Sequence, residues 1–288
     1  YGISQALFQG AALVHKKTLT GVICEEWDLP LPTTPIPIHA QCGGNRHAGA
    51  DKMIIRQVPS LPHSLVDHIP DQLGRDSVKL LRYARWLKKR IGELGPADYQ
   101  PTIHLAVHGS LATLYENNLG RILGTIAALE KAVHPLPLRV ECPVIMDTLE
   151  EQIEIMKTLR EYMRFRKMNA KIVADEWANT REDIQAFLEA EAADMIQIKM
   201  PDLGGLQHSI DAVLACRKAG VGAFLGGSCA ETDLSARISG HVALATRPEI
   251  VMAKPGMGID EGISILHNEM ARTLANLKSC RGAGKKQP

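Results

Sequence analysis

At 288 residues, with 45% hydrophobic and 23% charged positions, the chain is long enough to bury a full core and too apolar for extensive disorder. Its 33 basic and 32 acidic residues leave a net charge of +1 with no basic block, which excludes nucleic acid as the main partner. No apolar run reaches the roughly 18 residues needed to span a bilayer and no signal peptide opens the chain, so it reads as a soluble cytoplasmic protein.

The chain begins Tyr1-Gly-Ile-Ser-Gln-Ala-Leu, without Met and inside an apolar pattern, which reads as an internal start. Ile36-Pro-Ile-His-Ala-Gln41 is a short apolar run broken at Cys42-Gly-Gly-Asn, a strand followed by a loop. Met53-Ile-Ile-Arg-Gln-Val58 is a second expected strand, closed by Pro59 and Pro62. Residues 77–94 repeat apolar positions at helical spacing with basic residues opposite. Thr102-Ile-His-Leu-Ala-Val-His-Gly109 is a strand stopped by glycine, and a helix follows at about 118–133.

The second half alternates more plainly. Strands are expected at 138–143, 171–177, 195–200, 223–227 and 250–254. Helices follow at 148–168, from the cap-like Thr180 to 192, at 205–219, 231–246 and 261–278. The acidic run after Thr148 is a helix start favoured by the dipole. About eight strands with helical crossovers predict an α/β fold, a closed (β/α)8 barrel. No G-x-G-x-x-G follows the first strand, which disfavours an open nucleotide-binding sheet. The six cysteines are scattered without C-x-x-C pairs and read as reduced thiols.

A parallel barrel brings the C-terminal ends of its strands to one mouth. There Glu141 (in Val-Glu-Cys-Pro), Asp175 (in Val-Ala-Asp-Glu-Trp) and Lys199 (in Ile-Gln-Ile-Lys-Met-Pro) would converge: two carboxylates for a divalent ion and an amine for a base. A lysine in so apolar a run is seldom structural, because an unpaired buried ammonium is costly. Burial is also expected to lower its pKa toward that of a useful base.

The stretches Ile-Val-Ala-Asp-Glu-Trp (172–177), Gln-Ile-Lys-Met-Pro-Asp-Leu-Gly-Gly (197–205), Gly-Gly-Ser-Cys-Ala-Glu-Thr-Asp (226–233) and Lys-Pro-Gly-Met-Gly-Ile-Asp-Glu-Gly (254–262) resemble methylaspartate ammonia-lyase, of the enolase superfamily. The resemblance runs in matching order from Tyr1 to about Met270. It implies a carbon–nitrogen lyase of amino-acid degradation that reversibly removes ammonia from 3-methylaspartate to give mesaconate, with Mg2+ essential, K+ assisting, and a homodimeric assembly. A lysine or histidine base working with Mg2+ on the ene-diolate is that superfamily's general solution. It further implies an N-terminal capping domain mostly absent here, so that 1–35 is a remnant leading from the cap, 36–279 the barrel and 280–288 a flexible tail.

By position, Lys199 matches the family's lysine base and His63 the histidine facing it. Glu141 and Asp175 match two of three metal carboxylates, and Gln41, Gln197, Ser228, Cys229 and Met252 fall where substrate is contacted. The third carboxylate position is Ala106, which cannot coordinate. Mg2+ is often held by one or two carboxylates, so Glu141 and Asp175 still suffice, at reduced affinity. His108 shares the side-chain parity of Ala106, and as a ligand it would shift preference toward Mn2+ or another transition metal. Phe224 stands where the family often has tyrosine, which predicts a lost hydroxyl at the mouth. Two alternatives stay open: a divergent relative with altered metal or substrate, and a catalytically silent barrel.

Overall fold

In the computed structural model, which describes residues 1–42, 45–228, 231–254 and 256–283, the expected alternation closes on itself as a barrel of eight parallel strands in sequence order. Two helices lead in, α1 (Gly2–Val14) and α2 (Leu19–Glu26). The order then runs β1 (Ile38–Gln41), α3 (Arg46–Ile55), β2 (Ser60–His63), α4 (Val78–Leu94), β3 (Thr102–Ala106), α5 (Ser110–Tyr115), α6 (Leu119–Val133) and β4 (Leu138–Glu141). It continues α7 (Leu149–Phe165), β5 (Lys171–Ala174), α8 (Arg181–Glu189), β6 (Met195–Ile198), α9 (Leu206–Lys218), β7 (Gly222–Leu225), α10 (Asp233–Thr246), β8 (Ile250–Met252) and α11 (Ile259–Ala283).

One expected strand is corrected. Residues 53–58 do not form a strand: Met53 and Ile54 are buried with Gly49 and Ala50 on one face of α3, while Ile55 points to solvent. The apolar triplet is the last turn of a helix, spaced for a helical face rather than a strand. The second strand starts after Pro59 and contains Pro62 in a cis peptide. At the other end, α11 continues through Ala283 into the stretch expected to be a tail, and 284–288 lie outside the described residues.

Where local signals were strong, the helices start as their sequences dictate. The Thr180 hydroxyl accepts from the Asp183 amide while Asp183 accepts from the Thr180 amide, a reciprocal cap, and Thr148 caps α7. The lead-in helices are tied to the barrel's outer layer. Trp27 Nε1 donates to Asp211 on α9 at 2.9 Å, and the Thr20 hydroxyl donates to the His241 carbonyl on α10 at 3.2 Å.

Burial is split into two shells. The large apolar core lies between strands and helices, with Ile103, Leu105, Val140, Ile172, Ile196, Ile198 and Leu225 facing outward from the sheet. A separate small cluster of Val173, Met195, Phe224, Ile250 and Met252 fills part of the interior. The rest of the interior is polar: His39, Ser60, His104, Arg139, Glu141 and Gln197 are all buried. Among the described residues, Cys24, Cys42, Cys142 and Cys216 are free and buried, and no helix is long and apolar enough to cross a membrane.

Candidate active site

The strand alternation decides which side chains meet. Ala106 on β3 pairs in register with Glu141 on β4, and inward positions recur every second residue, so His104 lies one layer below Ala106. Glu141 ends β4 with 2% of its side chain exposed. Its Oε2 accepts from His104 Nε2 at 2.6 Å. Its Oε1 accepts from Gln197 Nε2 at 3.1 Å and lies 3.3 Å from His63 Nε2.

Behind this carboxylate the imidazoles are layered. His104 stacks on His39 with ring centroids 4.3 Å apart, and His39 Nδ1 meets the Ser60 hydroxyl at 2.9 Å. Burial pushes the pKa of both His39 and His104 below the ordinary histidine value, so both are neutral. A neutral His104 that donates from Nε2 carries its proton there, which fixes its tautomer. Burial also opposes charge on His63, but Glu141 and then Asp175 outweigh it and raise the His63 pKa. Burial in turn opposes charge on Glu141; His63 and the His104 hydrogen bond overcome it and hold the carboxyl well below its usual range.

Asp175 and Lys199 each sit one residue beyond a strand, on β5 and β6. Lys199 Nζ is 2.8 Å from Asp175 Oδ1 and 3.8 Å from Glu176 Oε1. The expectation that burial would lower the Lys199 pKa is corrected. Burial does act in that direction, but Asp175, Glu176 and Asp202 outweigh it and raise the value. Asp175 is pushed up to about 7, first by burial and then by the charge of Glu141, against the pull of Lys199. The two carboxylates, delivered by the neighbouring strands β4 and β5, therefore feel one another.

Of the other expected residues, Gln41 ends β1 half-buried, and Ser228 is half-buried just past β7, its amide donating to Glu231 Oε1 at 3.4 Å. Met252 is 1% exposed and belongs to the small interior cluster with Phe224. Phe224 is fully buried with its ring edge against His39 and His104, so it lies inside the barrel and not at the mouth as expected. His108 turns to Glu176, with Nδ1 3.2 Å from Oε1. Cys229 lies outside the described residues. His104 and Glu176 have partners that sequence reasoning did not assign; the parity of His104 with Ala106 was the available signal for the first.

Three non-glycine residues beside these groups adopt the left-handed backbone region: His108 (φ 43°), Cys142 (φ 49°) and Trp177 (φ 69°), past the ends of β3, β4 and β5. Each turns the chain sharply where a strand delivers its functional side chain.

As to a divalent ion, no three His, Cys, Asp or Glu side chains gather as a ready cage among the described residues. Two buried carboxylates that repel each other are present, and Asp175 is held from ionising partly by that repulsion. A cation between them relieves it, and one or two carboxylates with water and substrate oxygens is an ordinary shell for Mg2+. The residues fit a two-carboxylate site. They do not supply a third ligand.

The family model described as methylaspartate ammonia-lyase C-terminus matches residues 30–279. Methylaspartate ammonia-lyase 2 of Carboxydothermus hydrogenoformans is 48% identical over 285 residues, covering 99% of this chain and 68% of that protein. The crystal structure of the Citrobacter amalonaticus methylaspartate ammonia-lyase containing (2S,3S)-3-methylaspartic acid superposes with a TM-score of 0.95 at 43% identity, covering 96% of this chain and 68% of that one. A magnesium complex of β-methylaspartase from Clostridium tetanomorphum gives 0.92 at 38% identity, covering 96% and 67%. The chain thus spans about two thirds of the length of the relatives it matches.

Proposed function

The chain belongs to the methylaspartate ammonia-lyase family, and from that membership we propose that its barrel mouth removes ammonia from 3-methylaspartate to give mesaconate. One observation carries the chemistry. In a closed eight-strand barrel of sequential order, β2 and β6 are four strands apart either way round, so His63 and Lys199 face each other across the mouth. Glu141 on β4 and Asp175 on β5 lie between them on one side of the ring.

A substrate held between the two bases presents one face of its reacting carbon to each. Lys199 would take the proton from one epimer and His63 from the other. Glu141 holds His63 by its charge, and Gln197 and His104 hold Glu141, so the histidine side of the mouth is preorganised before substrate arrives. Asp175 and Glu176 keep Lys199 protonated, so abstraction by the neutral amine favours alkaline pH. Gln41 and Ser228, both half-buried at the rim, would orient the substrate. Glu141 and Asp175 would hold Mg2+, which when bound supplies positive charge to the enolate that proton loss creates.

Residues 1–35 would lead from a capping domain into the barrel of 36–279; α1 and α2 pack on the outer helices and contribute no strand. Family resemblance supports a homodimer, and the buried free thiols suit the reducing cytoplasm.

Ala106 favours a second reading, a relative whose metal or substrate has changed. A Mg2+ titration by calorimetry, with and without mesaconate, separates the two. Micromolar-to-millimolar binding tightened by mesaconate supports the lyase. No Mg2+ binding under either condition, with binding of Mn2+, moves the second reading ahead.

A further inference from the structure

The stretch after β7, Gly226-Gly227-Ser228, runs through a gap too narrow for side chains. A Cβ on Gly226 would lie 2.6 Å from Gln197 Oε1, and one on Gly227 would lie 2.7 Å from Glu231 Oε1 and 2.8 Å from Lys254 Nζ. On one side of the two glycines is the glutamine that holds Glu141. On the other is a buried ion pair.

That pair is Lys254 and Glu231, whose side chains are 0% and 1% exposed. Lys254, two residues past β8, donates from Nζ to the Gly226 carbonyl at 2.8 Å and to Glu231 Oε1 at 3.2 Å. Glu231 Oε1 also accepts the Ser228 amide at 3.4 Å. Lysine and glutamate together thus grip the backbone at both ends of the three-residue stretch.

A buried ion pair is a poor device for stability alone, because desolvating two charges offsets much of their attraction and an apolar pair of equal volume often does as well. What it provides is direction: an ammonium and a carboxylate admit few backbone geometries around them. We propose that Lys254 and Glu231 are positioning residues that clasp Gly226–Ser228, setting Ser228 at the substrate rim and seating Gln197 against Glu141. The clasp touches no reacting atom. Its role in substrate binding rests on the lyase reading above.

The test uses the intact protein, with steady-state kinetics on 3-methylaspartate, mesaconate binding by calorimetry, and amide hydrogen exchange at Gly226–Ser228. Lys254→Met is expected to raise KM and the mesaconate Kd about tenfold while kcat moves less than about threefold. Combining it with Glu231→Gln should be no worse than Lys254→Met alone, since the two act as one unit. Gly227→Ala keeps both charges but drives a methyl group against Glu231 and Lys254 and so pries the clasp off the backbone, and it should reproduce the KM rise even where Lys254→Met does not fold. A lowered melting temperature with unchanged KM and Kd in the folded variants overturns the proposal and leaves the pair merely structural.

Should the unsubstituted protein neither bind mesaconate nor turn over methylaspartate, the lyase reading fails on its own account. The clasp is then judged by exchange. About tenfold faster exchange at Gly226–Ser228 in Gly227→Ala supports it, and unchanged exchange overturns it.

Discussion

Asp175 at the barrel mouth and Glu269 in the outer helical layer both face cations, yet they are driven in opposite directions. Glu269 on α11 lies 3.2 Å from His241 Nε2 and accepts from Arg237 at 3.0 Å and Arg272 at 2.8 Å. Its carboxyl is pulled down to about 2, most of all by the His241 bond. Asp175 has one close cation, Lys199, and is pushed up to about 7 by burial and by Glu141. The difference lies in the balance of partners against desolvation. A carboxylate with three donors at a helix–helix seam is at rest, whereas one buried beside a like charge is held for something else to satisfy.

The largest expected effect falls on the strained side. Lys199→Ala should lower turnover of one methylaspartate epimer by about 10²–10⁴-fold, as for loss of a general base, with the melting curve still cooperative. Full activity would sink the assignment of Lys199.

Ala106→Asp sharpens the contrast by adding a third carboxylate beside Glu141. Mg2+ affinity should rise at least about 10–100-fold, measured calorimetrically, and the metal-free protein should lose stability through added repulsion. Unchanged affinity would show that this position does not face the ion.

Asp175→Asn tests the strain itself in chelator-treated protein. The unfolded carboxyl ionises at its ordinary value of 3.8 and the folded one at about 7. As pH rises from about 4 to about 7, the unfolded chain releases its proton first and stability falls; above that the full penalty stays. The asparagine variant should therefore match the parent near pH 4 and exceed it by about 1–3 kcal/mol near pH 8, after allowing for the lost Lys199 pairing. Equal pH dependence in both proteins would refute the repulsion.

Glu269→Gln should show the reverse at smaller size. A carboxyl whose folded pKa is depressed contributes stability above its unfolded value of 4.5, and that contribution disappears as pH falls through about 2. The variant should be about 1–2 kcal/mol less stable at pH 7, given partial solvent screening, and converge with the parent in acid. Denaturant curves at both pH values decide it.

Most of the barrel was legible because its strands are apolar runs stopped by a charge or a glycine, as at Glu141 and Gly109. The second strand was not. Ser-Leu-Pro-His carries a proline that normally argues against a strand, and the more apolar Met53-Ile54-Ile55 before it drew the assignment. Glu141 lies 3.3 Å from His63 and Asp175 2.8 Å from Lys199; the part of that geometry legible in sequence is the rule that parallel strand ends share one mouth. The direction of the Lys199 shift was hidden because Asp175 and Glu176 come from the neighbouring strand, and a linear reading weighs the lysine's own apolar neighbours instead. The pairing of Lys254 with Glu231 had no local signal, since separate βα units deliver the two residues.

The left-handed turns at His108, Cys142 and Trp177 bear on how this protein can be changed. An L-residue in that region gives up roughly 1–2 kcal/mol that glycine would not. Glycine would relieve that strain without loss of packing only at His108, because Cys142 is buried and Trp177 packs against the core and donates to the Met146 carbonyl at 3.0 Å. That change also removes the His108 contact that holds Glu176 beside Lys199, so heat-selected descendants with glycine there should gain melting temperature and lose turnover together.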